Sequence, residues 1–176
     1  FKIIPLPVEA QVSQLDGIVV DDFDGDGNLD VAISGNDFGT DVSTGRYDAF
    51  NGLLLKGDGK GGFKALSLQK SGLYIPGDGK ALVKLKGAKG NYMIAATQNR
   101  DVMKIFELKR NVKTVALKPL DVFATVKYKD GKTGKMEFYN GTSFLSQSGR
   151  FFNIDQTMQS VTVTDSYGHT RVIPLN

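Results

Sequence analysis

In the stretch Gly17-Ile18-Val19-Val20-Asp21-Asp22-Phe23-Asp24-Gly25-Asp26-Gly27-Asn28-Leu29-Asp30-Val31-Ala32-Ile33-Ser34, two short apolar runs enclose an acidic loop in which Asp alternates with Gly. β-branched runs of this length, closed by Gly and Asp, predict two strands joined as a hairpin. The loop has the composition of a calcium site. Calcium takes six to eight oxygen ligands at about 2.3–2.6 Å. Asp22, Asp24, Asp26 and Asp30 offer carboxylates, and a main-chain carbonyl is expected from Asn28. Gly25 and Gly27 let the backbone turn tightly around an ion. Four carboxylates this close repel one another unless a cation sits among them. The plainer alternative is a solvated acidic turn.

An EF-hand opens with the same D-x-D-x-D-G pattern but requires Glu at its twelfth position. Ile33 stands there. The flanks are strand-like rather than helical, so Asp30, at the ninth position, is expected to close the site.

Further strands are predicted outward from this hairpin. Leu53-Leu54-Leu55-Lys56 and Phe63-Lys64-Ala65-Leu66 flank the glycine-rich turn Gly57–Gly62. Ala81–Leu85, Met93–Thr97 and Val102–Phe106 follow, with turns at Gly87–Gly90 and Asn99–Asp101. After Pro119 the pattern changes. Val122–Tyr128 alternates with a period of two, as a half-exposed strand does. It turns at Lys129-Asp130-Gly131-Lys132 and returns over Lys135–Tyr139. Val161–Thr164 and Arg171–Ile173 form a last hairpin around Tyr167-Gly168-His169. No segment carries a 3.6-residue apolar period over three turns. The fold class expected is therefore all-β.

Composition narrows the function classes. There is no cysteine, which excludes disulfides, zinc-thiolate sites and cysteine nucleophiles. The net charge of +3 is spread along the chain without the basic stripe of a nucleic-acid binder. No apolar run approaches the ~18 residues of a membrane span. The strand-like start Phe1-Lys2-Ile3-Ile4-Pro5, with no initiator Met, suggests a processed product or an excised piece.

Gly17–Val31 resembles the FG-GAP/VCBS repeat, a blade of integrin-type β-propellers. The Leu53–Phe63 hairpin is similar to the second half of that blade, with Lys56-Gly57-Asp58 where the family often has Asn-Asp-Gly. Residues 72–108 resemble a further blade without a calcium loop. Residues 118–176 resemble the ASPIC/UnbV domain that follows such propellers in secreted bacterial proteins. The residues that carry this are Val126–Gly131, Phe138–Arg150 and Ser160–Val163. The resemblance implies two units, 1–117 with about two blades and 118–176 as a small β domain. Propellers close with 4–8 blades, so the chain is expected to be the C-terminal part of a larger protein.

Other residues carry less. Arg46 and Asp48 are expected to brace the long loop 38–50, whose length also fits a ligand surface. Asn140-Gly141-Thr142 matches a glycosylation sequon but reads better as a turn. Ser143, Ser146 and Ser148 have no nucleophile elbow around them and are expected in turn and cap hydrogen bonds. His169 is expected to be exposed. Phe144, Phe151 and Phe152 are expected as core anchors.

The function expected is a non-catalytic, calcium-stabilised, extracytoplasmic binding or adhesion module with a glycan or protein partner. Self-association through open blade edges, but no nucleic acid and no membrane span, belongs to this reading. A scaffold piece that completes a propeller is the alternative. A carboxylate-dependent hydrolase ranks last, because calcium would occupy the only acidic cluster.

Overall fold

The computed structural model describes residues 2–142 and 145–175. The expectations for Ser143 and Phe144 lie outside the described residues. The fold is all-β, built of antiparallel sheets, none of which closes into a barrel. The first sheet is a meander in chain order: β1 (Leu15–Asp21), β2 (Asp30–Gly35), β3 (Leu53–Gly57) and β4 (Phe63–Leu66). A short helix, α1 (Leu68–Ser71), leads to the second meander of β5 (Asp78–Lys86), β6 (Tyr92–Asn99) and β7 (Asp101–Glu107). β8 (Lys113–Ala116) follows, then β9 (Asp121–Tyr128), β10 (Thr133–Glu137), β11 (Phe151–Ile154), β12 (Met158–Asp165) and β13 (Thr170–Ile173). The order β10-β9-β12-β13 makes a four-stranded sheet, and β8 pairs with β11. The link between β8 and β9 contains the expected unit limit at 117/118. β8 on its N-terminal side pairs with β11 on its C-terminal side.

The period-two patterns set the faces. In β1, Gly17, Val19 and Asp21 are buried, while Ile18 and Val20 are exposed. The β1–β2 register pairs Val19 with Ala32 and Asp21 with Asp30, so the acidic loop is closed by a matched pair at its base. One core lies between the two meanders. It joins Val19, Phe23 and Ala32 to Ile75, Leu82, Tyr92, Ile94 and Phe151. A second core, with Val126, Phe152, Val161 and Val163, fills the C-terminal sheet. A third, around Ile33, Phe50 and Leu55, lies on the other face of the first meander. Phe151 and Phe152 thus anchor two different cores. Close approach of the meanders depends on Gly17: a Cβ there would stand 2.3 Å from Ser34 Oγ and 2.7 Å from Leu82 Cβ.

Buried polar groups tie the layers together. Asp21 accepts from the Tyr92 hydroxyl at 3.1 Å, from Lys84 Nζ at 3.0 Å and from Asn153 Nδ2 at 3.1 Å. Tyr92 packs edge-on against both Phe23 and Phe151. Burial of a carboxylate is tolerated only with such partners. Asp21 therefore joins the first meander, the second meander and β11 at the residue that precedes the acidic loop. On the opposite side Asn36 is fully buried at φ 93, a region Asn tolerates better than most residues. Its Nδ2 donates to the Phe50 and Gly77 carbonyls, and its Oδ1 accepts from Phe50 N. These bonds fasten the end of the 38–50 loop to Gly77, the residue just before β5.

Candidate metal centre

β1 delivers Asp22 and β2 begins at Asp30, so the hairpin brings the two ends of the loop together. Gly25 and Gly27 both adopt positive φ, +87° and +85°, as a loop this tight requires. One carboxylate oxygen from each of Asp22, Asp24 and Asp30 falls within 4.8 Å of the other two. Asp30 is buried, Asp22 half-buried and Asp24 exposed. Three of the five expected ligands thus converge. Asp26 stands beside this trio: its Oδ1 accepts from Asn28 N at 2.8 Å, and its Oδ2 lies 2.9 Å from Lys56 Nζ. Asn28 is half-buried next to the β3–β4 turn, where a Cβ on Gly59 would strike its Oδ1.

The inner carboxylates are fixed by main-chain donors. Asp22 Oδ1 accepts from Gly25 N at 2.6 Å and its Oδ2 from Gly27 N at 3.1 Å. Asp30 Oδ2 accepts from Phe23 N at 3.0 Å, and its Oδ1 from Gly57 N at 2.9 Å. Each oxygen keeps a further lone pair for a cation. Burial pushes the Asp22 carboxyl above its ordinary value, against the downward pull of these amides and of Arg110. Burial also raises Asp30, and the neighbouring charges of Asp24 and Asp26 add to the effect. In both carboxyls it is loss of hydration on burial that disfavours the anionic form. The donor set is all oxygen and pre-positioned, which suits a hard divalent ion such as calcium.

Two cationic side chains at the loop escape a reading of the sequence by motif alone. Lys56 contacts Asp24 as well as Asp26, and it holds Asp26 below its ordinary value. The β2–β3 register could have revealed it, since Leu55 faces Val31 and Lys56 is therefore level with the loop's end. Arg110, between β7 and β8, donates from Nη2 to the Asp22 carbonyl at 2.8 Å. No local signal connects positions 88 residues apart.

The remaining candidates fall elsewhere. His169 is highly exposed, with Nδ1 3.2 Å from Asp165 Oδ2. Ser148 Oγ accepts from Thr142 Oγ1 within its own turn and also from Lys84 N on β5, a tertiary bond. The Ser146 hydroxyl is buried without a hydrogen-bond partner among the described residues and does not make the turn or cap bond expected of it. Arg46 lies 3.7 Å from Asp48, and its guanidinium also covers the Phe38 ring. Asn140 Oδ1 accepts from Arg150 Nη1. An open cleft of about 700 Å³ borders the acidic loop, with Asn28, Asp58, Phe63, Tyr128 and Asp130 among its walls. No helix among the described residues is long and apolar enough to cross a membrane. Comparison with protein-family models, with curated proteins and with solved structures returns no match.

Proposed function

We propose that the Asp22–Asp30 loop holds one calcium ion and that the chain is a non-catalytic binding or adhesion module acting outside the cytoplasm. The observation that carries this reading is the convergence of Asp22, Asp24 and Asp30 on one point, with their oxygens oriented by main-chain amides. Asp26 and the Asn28 carbonyl complete the donor set. Calcium would neutralise the loop's mutual repulsion and lock β1 to β2. The resemblance to FG-GAP/VCBS blades and to an ASPIC/UnbV domain favours the same reading, with a glycan or protein as partner. Its setting supplies calcium at the concentrations that extracellular modules use, with Kd near ~10⁻⁴–10⁻³ M.

Self-association belongs to this proposal. β7 is an edge strand, and Val102, Met103 and Ile105 on it are exposed. Edge strands that present apolar side chains recruit further strands.

Calorimetric titration of chelator-treated protein tests the metal reading. About one calcium per chain is expected, with binding abolished or strongly weakened in Asp24→Ala. Calcium that binds only the folded state stabilises it by RT ln(1 + [L]/Kd), about 2.7 kcal/mol at a hundredfold excess over Kd. Chelation should then lower the Tm by several degrees. Identical melts with excess calcium and with chelator would refute the proposal.

A further inference from the structure

Lys56 is the next-to-last residue of β3, and the residues on either side of it are both pinned to β2. Leu55 pairs with Val31, and Gly57 N donates to Asp30 Oδ1 at 2.9 Å. That placement carries the Lys56 ammonium onto Asp24 Oδ2 and, at 2.9 Å, onto Asp26 Oδ2. The other oxygen of each carboxylate is already engaged. Asp24 Oδ1 accepts from Asp26 N at 3.1 Å and Asp26 Oδ1 from Asn28 N at 2.8 Å. Lys56 therefore takes the oxygens of Asp24 and Asp26 that the main chain leaves free.

The loop's carboxylates fall into two pairs. Asp22 and Asp30 are anchored by amides and bear no contact with Lys56. Asp24 and Asp26 are more exposed and are neutralised by the ammonium. A divalent ion that draws ligands from both pairs must displace Lys56 from the second. The lysine is able to yield. Its side chain is 40% exposed, and the loss of a solvated ion pair costs little. Lysine is also a compact charge on a flexible stem, which moves more readily than a guanidinium held by a planar fork.

We infer that Lys56 is a built-in competitor for the calcium site, an intramolecular cation that occupies the outer carboxylates at low calcium and swings into solvent when calcium binds. The inference rests on the calcium reading proposed above. It predicts a site that fills and empties as free calcium varies, in place of one permanently loaded. It also gives the metal-free loop a counter-ion, so the hairpin does not fly apart on chelation.

The test compares wild type with Lys56→Met and Lys56→Arg by calorimetric titration with calcium chloride. In wild type calcium must break both of the solvated ion pairs of Lys56, and in Lys56→Met neither, a difference of about tenfold in affinity. Lys56→Met is expected to bind calcium about tenfold more tightly, and Lys56→Arg to stay at or below wild-type affinity. A second measurement uses the native protein alone. Acetylation of Lys56, followed by mass spectrometry, should accelerate on addition of calcium relative to the other lysines. Calcium binding of equal strength in wild type and Lys56→Met, or Lys56 labelling unchanged by calcium, overturns the inference and leaves the metal site standing. No calcium heat in any of the three proteins overturns the metal reading, and the inference falls with it.

Discussion

The Arg110 guanidinium holds the main-chain carbonyl of Asp22 at 2.8 Å, and its Cζ lies where a Cβ on Gly25 would approach to 3.0 Å. One side chain from the link between β7 and β8 thus bonds the first residue of the acidic loop and covers the turn of that loop. The loop is built into the contact between the meanders and does not hang free at a hairpin tip.

Two substitutions interrogate that contact. Arg110→Met removes a charged donor from a carbonyl, which costs about 1.5–3 kcal/mol. Gly25→Ala adds a Cβ against the guanidinium at a φ of +87°, which L side chains rarely adopt. Both single variants are expected to lower stability in chelator. The double variant should lose less than the sum, because Met can move away from the new methyl while the backbone strain persists. Urea unfolding of the four proteins measures this, and strict additivity would mean that Arg110 and Gly25 do not touch in solution.

At the proposed calcium site, the ion and protons would compete for the same oxygens. Burial raises both Asp22 and Asp30 in the folded, metal-free protein. A carboxylate raised on folding favours the folded state while protonated, and that stabilisation is lost as pH climbs from the unfolded value near ~3.9 through the raised folded one. Ionisation of Asp22 and Asp30 therefore weakens the metal-free loop, and calcium bound as proposed would restore it. The gap in Tm between calcium-loaded and chelated protein should open as pH rises through this window and level off above it. Melts at a series of pH values check the sign, and a gap that shrinks as pH rises would contradict the assignment.

Much of this was legible from residue pattern alone. The expected strands around Val19, Ile33, Leu55, Ala65, Val83, Ala95, Met103, Val126 and Val163 all form, and the Lys129–Lys132 turn closes with Gly131 at φ 86. Period-two alternation and glycine turns are local, and they survive without knowledge of the rest. The β8–β11 pair was not legible. Lys113–Ala116 is short and half polar, Phe151–Ile154 is buried at every position, and their pairing spans a whole hairpin of intervening chain. The carboxylates of the candidate site announce themselves by spacing, whereas Lys56 and Arg110 arrive by register and by tertiary packing.

The C-terminal sheet has its own acid-sensitive lock. Asp121, buried at the start of β9, is gripped by both terminal nitrogens of Arg171 on β13 and by Lys118 N at 2.7 Å. Arg171 holds the Asp121 carboxyl below its ordinary value. A depressed carboxylate contributes stability above its unfolded pKa and loses it as pH falls through its folded one. Arg171→Met should therefore destabilise the protein at neutral pH by about 3 kcal/mol, since it leaves a buried charge without its main partner. The deficit should shrink as the pH is lowered and Asp121 is protonated in both proteins. Denaturant titrations at neutral and acid pH measure the difference, and a deficit independent of pH would assign the loss to packing.

The free edge of the second meander is the remaining liability. β6 pairs with one side of β7 through Ala95–Ile105 and Ala96–Lys104, and β7 ends the sheet. Met103 and Ile105 alternate onto one face and Val102 onto the other, and all three are exposed. Lys104 is the single cation within the strand to discourage edge pairing. A second copy of the chain is the simplest cover for such an edge, because a two-fold axis lets identical strands satisfy each other. Light scattering at tens of micromolar should then report a species larger than the monomer. Met103→Lys with Ile105→Lys should return it to monomer without lowering the Tm, since neither side chain contributes to a core. A wild-type protein that stays monomeric, and is unmoved by the two lysines, would show that the edge is protected by its own charges and that the meander needs no further strand.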